Sequence, residues 1–307
     1  MARIAEWRVH IGAHKTATTH LQTVLAARRA ELNDHGVDFL PLNTARPLFL
    51  RPASTHRRLA QWRKRLDRWP ALARRADALT LPYALRRAAR CNGTLVLSEE
   101  NLLGGCATIF SPTLYPDLSR LAALRPLARS APLRVFLSIR PLDGYLPSAY
   151  AEVLKNRRQR RSAFLQAVER WSSAPPSWAD LLCRVQQELP SARLEVWNYD
   201  HYAAHWPAIH TAFTGVQLGP GEDPGRPLLT RTPGESAIRA AEALELGMAA
   251  GRPGAVRQLY SDSIEQNPEP RFDPLDAAQH RALQAAFARD LAEIGRRFPD
   301  ALHRFAA

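Results

Sequence analysis

Residues 7–25 read "WRVHIGAHKTATTHLQTVL". The run 7–12 predicts a short strand, and Gly12 ends it. Leu21, Val24, Leu25 and Leu32 then recur at helical spacing, with Gly36 as a stop. Between strand and helix stand Lys15 and three hydroxyl residues, Thr16, Thr18 and Thr19. This is the outline of a phosphate-binding loop. The first amides of a helix beginning near Thr16 have no acceptor inside the helix, and the helix dipole adds partial positive charge. Lys15 adds a full charge and the threonines add donors. A threonine is also an ordinary helix cap, but three of them beside a lysine exceed what a cap needs. The loop is not the Walker pattern, which needs a glycine directly before the lysine; His14 stands there instead.

Outward from this stretch, "GTLVLS" (93–98), "LRVFLSI" (133–139) and "RLEVWNY" (193–199) predict further buried strands. Each is followed by polar residues and then a helical pattern. That alternation predicts a three-layer α/β sandwich, with helices on both faces of a central parallel sheet. Residues 54–90 are arginine-rich with helical periodicity, broken at Pro70 and Pro82. Residues 218–233 are rich in glycine and proline and read as a loop or lid. Residues 234–250 and 274–298 read as helices. The expectation is one domain over 1–307, its part from about 216 onward a helical extension or lid.

Composition narrows the partners. The chain has 307 residues, 46% hydrophobic and 23% charged, as ordinary globular proteins have. No apolar run is long enough for a transmembrane helix, and the N-terminal residues lack the pattern of a secretory signal. The cysteines, Cys91, Cys106 and Cys183, show neither metal spacing nor a disulfide framework. A cytoplasmic protein is expected. Lys+Arg total 42 against 29 acids, for a net charge of +13. Overall charge of this kind speaks to partners, not to fold. Lysine occurs only at Lys15, Lys64 and Lys155. A residue so rarely used, standing inside a glycine-led loop, points to a need for a compact point charge rather than the planar fork of arginine.

In open parallel sheets, ligands bind outside the carboxyl ends of the strands. The segments that matter are therefore "GAHKTATTH", "EEN", "RPLDGYLPS" and "YDHY", which follow the predicted strands. A carboxylate of "SEEN" (98–101) is a candidate base or metal ligand, or a simple cap. Arg140, ending an apolar run, must find a partner, and an anion is one. Ser148 follows eight residues later.

These segments resemble the sulfotransferases that use 3′-phosphoadenosine 5′-phosphosulfate, in particular the bacterial members. "HIGAHKTATTHLQ" is similar to their phosphosulfate-binding loop. "FLSIRPLDGYLPSAY" is similar to their 3′-phosphate motif, which pairs an arginine with a serine eight residues on. "LVLSEEN" and "LEVWNYD" resemble two further strand ends of that family. The order of the segments matches, over roughly residues 7–215. The resemblance implies that Lys15 contacts the bridging oxygen and 5′-phosphate, with Gly12, Ala13, His14, Thr16, Ala17, Thr18 and Thr19 completing the loop. Arg140 and Ser148 would hold the 3′-phosphate and Tyr199 the adenine. His20 stands where relatives carry an aromatic that stacks on adenine. Glu100 matches the acid of the third segment and is the candidate base, with His10 and His14 as fallbacks. Two departures stand out. Ala17 replaces the usual glycine, which is tolerable where φ is negative. The glycine-rich C-terminal motif is missing, with Arg231 and Ser236 as stand-ins.

The resemblance further implies an enzyme that needs no metal and releases adenosine 3′,5′-bisphosphate. Its acceptor would be a glycan, lipid or small metabolite bearing a hydroxyl, amine or amide. The run "LKNRRQRRS" (154–162) suits an acidic acceptor, or is simply a solvated helix face. Trp62, Trp69, Trp171, Trp178 and Tyr260 could stack a sugar, though core packing is the ordinary use of such residues. Three rival readings remain open. A nucleoside or small-molecule kinase would want the Walker glycine. A nucleic-acid-binding protein rests on charge alone, and nucleic acid is not expected as a partner. A third is a related protein that binds nucleotide without turnover.

Overall fold

The computed structural model describes residues 1–50, 64–66, 68–219, 231–245, 247, 250–266 and 269–305. Trp62 and most of the 218–233 loop lie outside the described residues. The protein is built on a five-stranded sheet, all parallel, of β1 (Ile4–His10), β2 (Val37–Leu40), β3 (Gly93–Ser98), β4 (Leu133–Ile139) and β5 (Arg193–Asn198). The order across the sheet is β2-β3-β1-β4-β5.

Alternation along the strands feeds two cores. Trp7 and Val9 of β1, Leu95 and Leu97 of β3, and Val135 and Leu137 of β4 face one layer of helices. Val96, Phe136 and Trp197 face the other, with Leu21, Ile209 and Phe213. This two-sided burial is why the strands read as apolar runs.

The four-residue edge strand β2 was not expected. It starts at Val37, directly after the turn at His35 and Gly36, and its Asp38 is a buried acid. Arg29 holds Asp38 through two bonds of 2.6 and 3.0 Å, so the side chains disguise the strand. The opposite edge, β5, is covered by the C-terminal segment. Val196 N–H donates to the Ala301 carbonyl at 2.7 Å, and His303 N–H to the Val196 carbonyl at 2.8 Å.

The helices are α1 (Thr18–Ala27), α2 (Arg29–Asp34), α3 (Leu42–Leu50), α4 (Pro70–Ala88), α5 (Arg125–Ser130), α6 (Leu142–Asn156), α7 (Arg161–Ser173), α8 (Trp178–Glu188), α9 (Tyr202–Thr214), α10 (Glu235–Ala243), α11 (Arg252–Glu265) and α12 (Ala277–Arg297). The single helix expected after the loop breaks at Arg28 into α1 and α2. Of the two breaks expected at prolines, the one at Pro70 is present and the one at Pro82 is not. Pro70 begins α4 as a first-turn residue, where its missing N–H does no harm. Pro82 lies inside α4, which continues through it and forgoes one amide donor.

The C-terminal third packs onto α6 through Arg252, whose side chain is fully buried. It donates to the carbonyls of Leu154 (3.0 Å), Leu244 (2.7 Å) and Ala241 (2.8 Å). A buried cation thus satisfies carbonyls that end α6 and α10. Of the tryptophans and tyrosines named above, Trp171, Trp178 and Tyr260 are core residues, whereas Trp69 is exposed. Among the described residues no helix is long and apolar enough to cross a membrane.

Candidate functional site

The strand order fixes where a ligand would sit. From β1 the chain passes to the β2 side of the sheet; from β4 it passes to β5. The two neighbouring strands thus send their connections in opposite directions, which opens a crevice beyond their carboxyl ends.

Residues 11–17 fill one wall of that crevice. Gly12 (φ 42°), Lys15 (φ 64°) and Ala17 (φ 62°) all adopt positive φ. A side chain at Gly12 would put Cβ 2.9 Å from His10 Cε1, so glycine is required there. Ala17 is the residue before helix α1, which starts at Thr18 rather than near Thr16. The negative φ expected at Ala17 is therefore corrected: the usual glycine is replaced at a position whose conformation favours glycine. Three left-handed residues turn the chain sharply between β1 and α1.

The loop has its own support. His14 N–H donates to the Tyr115 hydroxyl at 3.0 Å, and His14 Nδ1 lies 3.2 Å from it. That amide is committed inward and does not point at a ligand. The Thr16 hydroxyl donates to the Ala13 carbonyl at 2.6 Å. Gly12, Ala13 and Thr16 are buried and build the turn rather than face the crevice. Thr18 also is buried, yet its hydroxyl has no hydrogen-bond partner among the described residues. Sequence gave no hint of Tyr115, which lies fully buried beneath the loop with a φ of 45°.

The crevice encloses a cavity of about 360 Å³, within the usual range for small-molecule sites. From the loop and α1 it is lined by His14, Lys15, Ala17, Thr18, Thr19 and His20. Arg140, Ser148 and Tyr199 line it from beyond β4 and β5, and Glu100 from beyond β3. Arg231 lines it from the C-terminal region, but Ser236 does not; its amide donates instead to Glu269 at 3.0 Å. Among the described residues, Glu152 on α6, Thr232 and Arg271 also line it and were not foreseen, and Lys155 on α6 was foreseen only as part of the basic run 154–162. Lys155 carried one signal, the rarity of lysine. Glu152 sits three residues before it, on the same helix face. Arg271 comes from a segment that pairs with Gly234, which nothing in the local sequence announces.

Arg140 is central. Its Nη1 donates to the Lys15 carbonyl at 2.8 Å, and its guanidinium lies 4.7 Å from the centre of the Tyr199 ring. The Trp178 indole N–H donates to the Arg140 carbonyl at 2.9 Å. Burial lowers the Arg140 pKa, only partly opposed by Tyr199 and Asp200. Ser148, inside α6, is buried at the cavity wall.

The two acids of "SEEN" differ. Burial pushes the Glu99 carboxyl up, but Arg46 (2.6 and 3.0 Å) and the Asn101 amides outweigh it and hold it below the usual range. Glu99 is thus a structural ion pair. Glu100 faces the cavity, and among the described residues it forms no ion pair.

The histidines also separate. His10 is buried and stacks on Trp197, with Nδ1 3.0 Å from the Ser98 hydroxyl. Burial drives its pKa down to about 3. His10 does not face the cavity, which removes it as a fallback base; His14 remains at the wall. His20 lines the cavity edge-on to Tyr202, its Nδ1 2.9 Å from the Tyr202 hydroxyl.

Among the described residues the lining carries Lys15, Lys155, Arg140, Arg231 and Arg271 against Glu100 and Glu152, a net charge of +3. A second cavity, of about 640 Å³, adjoins the first and shares Arg140, Thr232 and Arg271. It is lined by His280, Asp143 and Gln284 over an apolar floor of Phe272, Phe287 and Leu291.

Comparison of the chain with protein-family models, with curated proteins and with solved structures finds no match.

Proposed function

We propose that the protein is a sulfotransferase that moves a sulfuryl group from 3′-phosphoadenosine 5′-phosphosulfate to a hydroxyl or nitrogen of a small-molecule or glycan acceptor. The observation that carries this reading is the convergence of Arg140 and Ser148 with Lys15, Thr18 and Thr19 on one cationic cavity. One phosphate site would need the loop alone. A donor with phosphates at both ends of a nucleoside needs a second cluster across the cavity. Tyr199, against Arg140 at the cavity wall, offers an aromatic face. In this reading the turn at 11–17 is a phosphosulfate-binding form of the P-loop. It holds a single phosphosulfate with lysine, hydroxyls and first-turn amides, without the Walker glycine.

Such a transfer needs in-line geometry and charge stabilisation more than covalent help. The acceptor oxygen or nitrogen attacks sulfur, and the bond from sulfur to the phosphate oxygen breaks. Negative charge grows on that oxygen as adenosine 3′,5′-bisphosphate departs. Lys15 would stabilise that charge, so its effect would fall on the transition state. The acceptor's proton would pass to Glu100. Glu152 is unsuited to that task, because two lysines hold its carboxylate charged. The positive lining also suits an acceptor that is itself acidic.

The decisive experiment is a thermal-shift comparison of adenosine 3′,5′-bisphosphate, AMP and ATP with magnesium. Selective stabilisation by the bisphosphate is expected. Selective stabilisation by ATP with magnesium would turn the reading toward a kinase.

A further inference from the structure

Lys15 and Lys155 are two of the chain's three lysines, and they meet on one oxygen atom. Glu152 Oε2 lies 3.3 Å from Lys15 Nζ and 2.9 Å from Lys155 Nζ. Their side chains are 9% and 10% exposed, and that of Glu152 28%. The two contacts are built differently. Glu152 and Lys155 stand three residues apart on α6, so helix geometry fixes their spacing. Lys15 reaches Glu152 from the loop, on a longer bond, and the loop backbone can keep its fold while that side chain moves. Burial works against the Glu152 carboxylate, but Lys15 and Lys155 outweigh it and bring its pKa down to about 2. A carboxylate held charged beside the lysine of an anion-binding loop has one evident effect: it repels the anion the loop is built to take.

We infer that Glu152 is a displaceable counter-ion for Lys15, taking the lysine ammonium when the loop is empty and remaining on Lys155 when an anionic group takes Lys15. No bond to a ligand is assigned to Glu152; it is a positioning residue that acts through Lys15. The identity of the anion as a phosphosulfate rests on the function proposed above, but the exchange of partners at Lys15 does not. In an enzyme that must release a bisphosphate product, such a built-in competitor would weaken product binding and so speed release.

The test is Glu152→Gln, which keeps the shape and removes the charge, with Glu152→Ala as a second variant. Two readouts apply to variants that keep the wild-type melting temperature. Calorimetric titration with adenosine 3′,5′-bisphosphate, and separately with pyrophosphate, should show about tenfold tighter binding in the variants, because a like charge near the anion has gone. Mass-mapped acetylation without any ligand should proceed several-fold faster at Lys15 and Lys155, measured against exposed Lys64, because the carboxylate that engages both ammonium groups has gone. Unchanged or weaker anion binding in the variants overturns the inference. If wild-type protein takes pyrophosphate but not the bisphosphate, the sulfotransferase reading fails and the pyrophosphate arm alone judges the counter-ion. If it takes neither, acetylation decides, and unchanged Lys15 reactivity overturns it.

Discussion

Arg140 at the end of β4 donates to the backbone carbonyl of Lys15 at 2.8 Å, tying together residues 125 apart in the chain. The bond holds the Lys15 backbone in its left-handed conformation (φ 64°), which turns the carbonyl toward β4. One guanidinium therefore shapes the loop and adds charge to the cavity. Arg140→Lys should fail at the first task, because lysine has no planar fork. The loss of a charged hydrogen bond and of the Tyr199 stack should cost about 1–3 kcal/mol of stability. Denaturant melts measure that loss, and stabilisation by adenosine 3′,5′-bisphosphate should fall with it.

Ala17 carries strain that a glycine would not. A non-glycine residue in the left-handed region costs roughly 1–2 kcal/mol, partly offset by the greater freedom of glycine in the unfolded chain. Ala17→Gly should therefore stabilise the protein by about 0.5–1 kcal/mol, a rise of about 2 °C in a chain of this size. Gly12→Ala should do the reverse, since its Cβ would approach His10 and Thr18 to 2.9 and 3.2 Å. Calorimetry on the two variants reads both signs.

Adjacent acids should give opposite phenotypes. Glu100→Gln should leave bisphosphate binding intact and lower turnover by about 10²–10⁴-fold, the usual range for a general base. Glu99→Gln should instead loosen the Arg46 pair and lower the melting temperature. Turnover followed by bisphosphate release separates them, and wild-type turnover in Glu100→Gln would remove that residue from the role of base.

His280 predicts a pH dependence of stability. Its ring nitrogens lie 3.1 Å from Asp143 and 3.0 Å from Asp273. Burial pushes its pKa down, but the two carboxylates outweigh this and the net shift is upward. A group raised on folding stabilises fully below its unfolded value of about 6.5, and the contribution fades as pH rises through the folded value. Melting temperature should drop as pH rises above about 6.5 in wild type, and less so in His280→Gln. Because Asp273 stands two residues after Arg271, bisphosphate affinity should weaken over the same interval.

Much of the sheet was legible locally. Four apolar runs announced β1, β3, β4 and β5, because strands buried on both faces have few ways to hide. The fifth, β2, was missed because its buried Asp38 is neutralised by an arginine from another element. Helix boundaries failed where the backbone departs from its usual preferences, at Ala17, Arg28 and Pro82. Position just beyond a buried strand also marked the loop with Lys15, the segment 98–101 and Arg140, since polar residues there have a predictable place, whereas Glu100, Ser148 and Tyr199 were picked out by the family resemblance.

What sequence could not fix was which of two neighbouring acids faces inward, or which side chains meet from distant elements. Glu99 and Glu100 are chemically alike, and only the position of Arg46 separates their roles. Glu152, Lys155 and Arg271 enter the cavity because α6 and the segment beside Gly234 pack over the crevice. Residue type and strand pattern pointed to a ligand cavity at the end of β1. Tertiary packing decided its depth, its second cation cluster and the carboxylate that Lys15 holds, because long-range contacts leave no periodic trace in the chain.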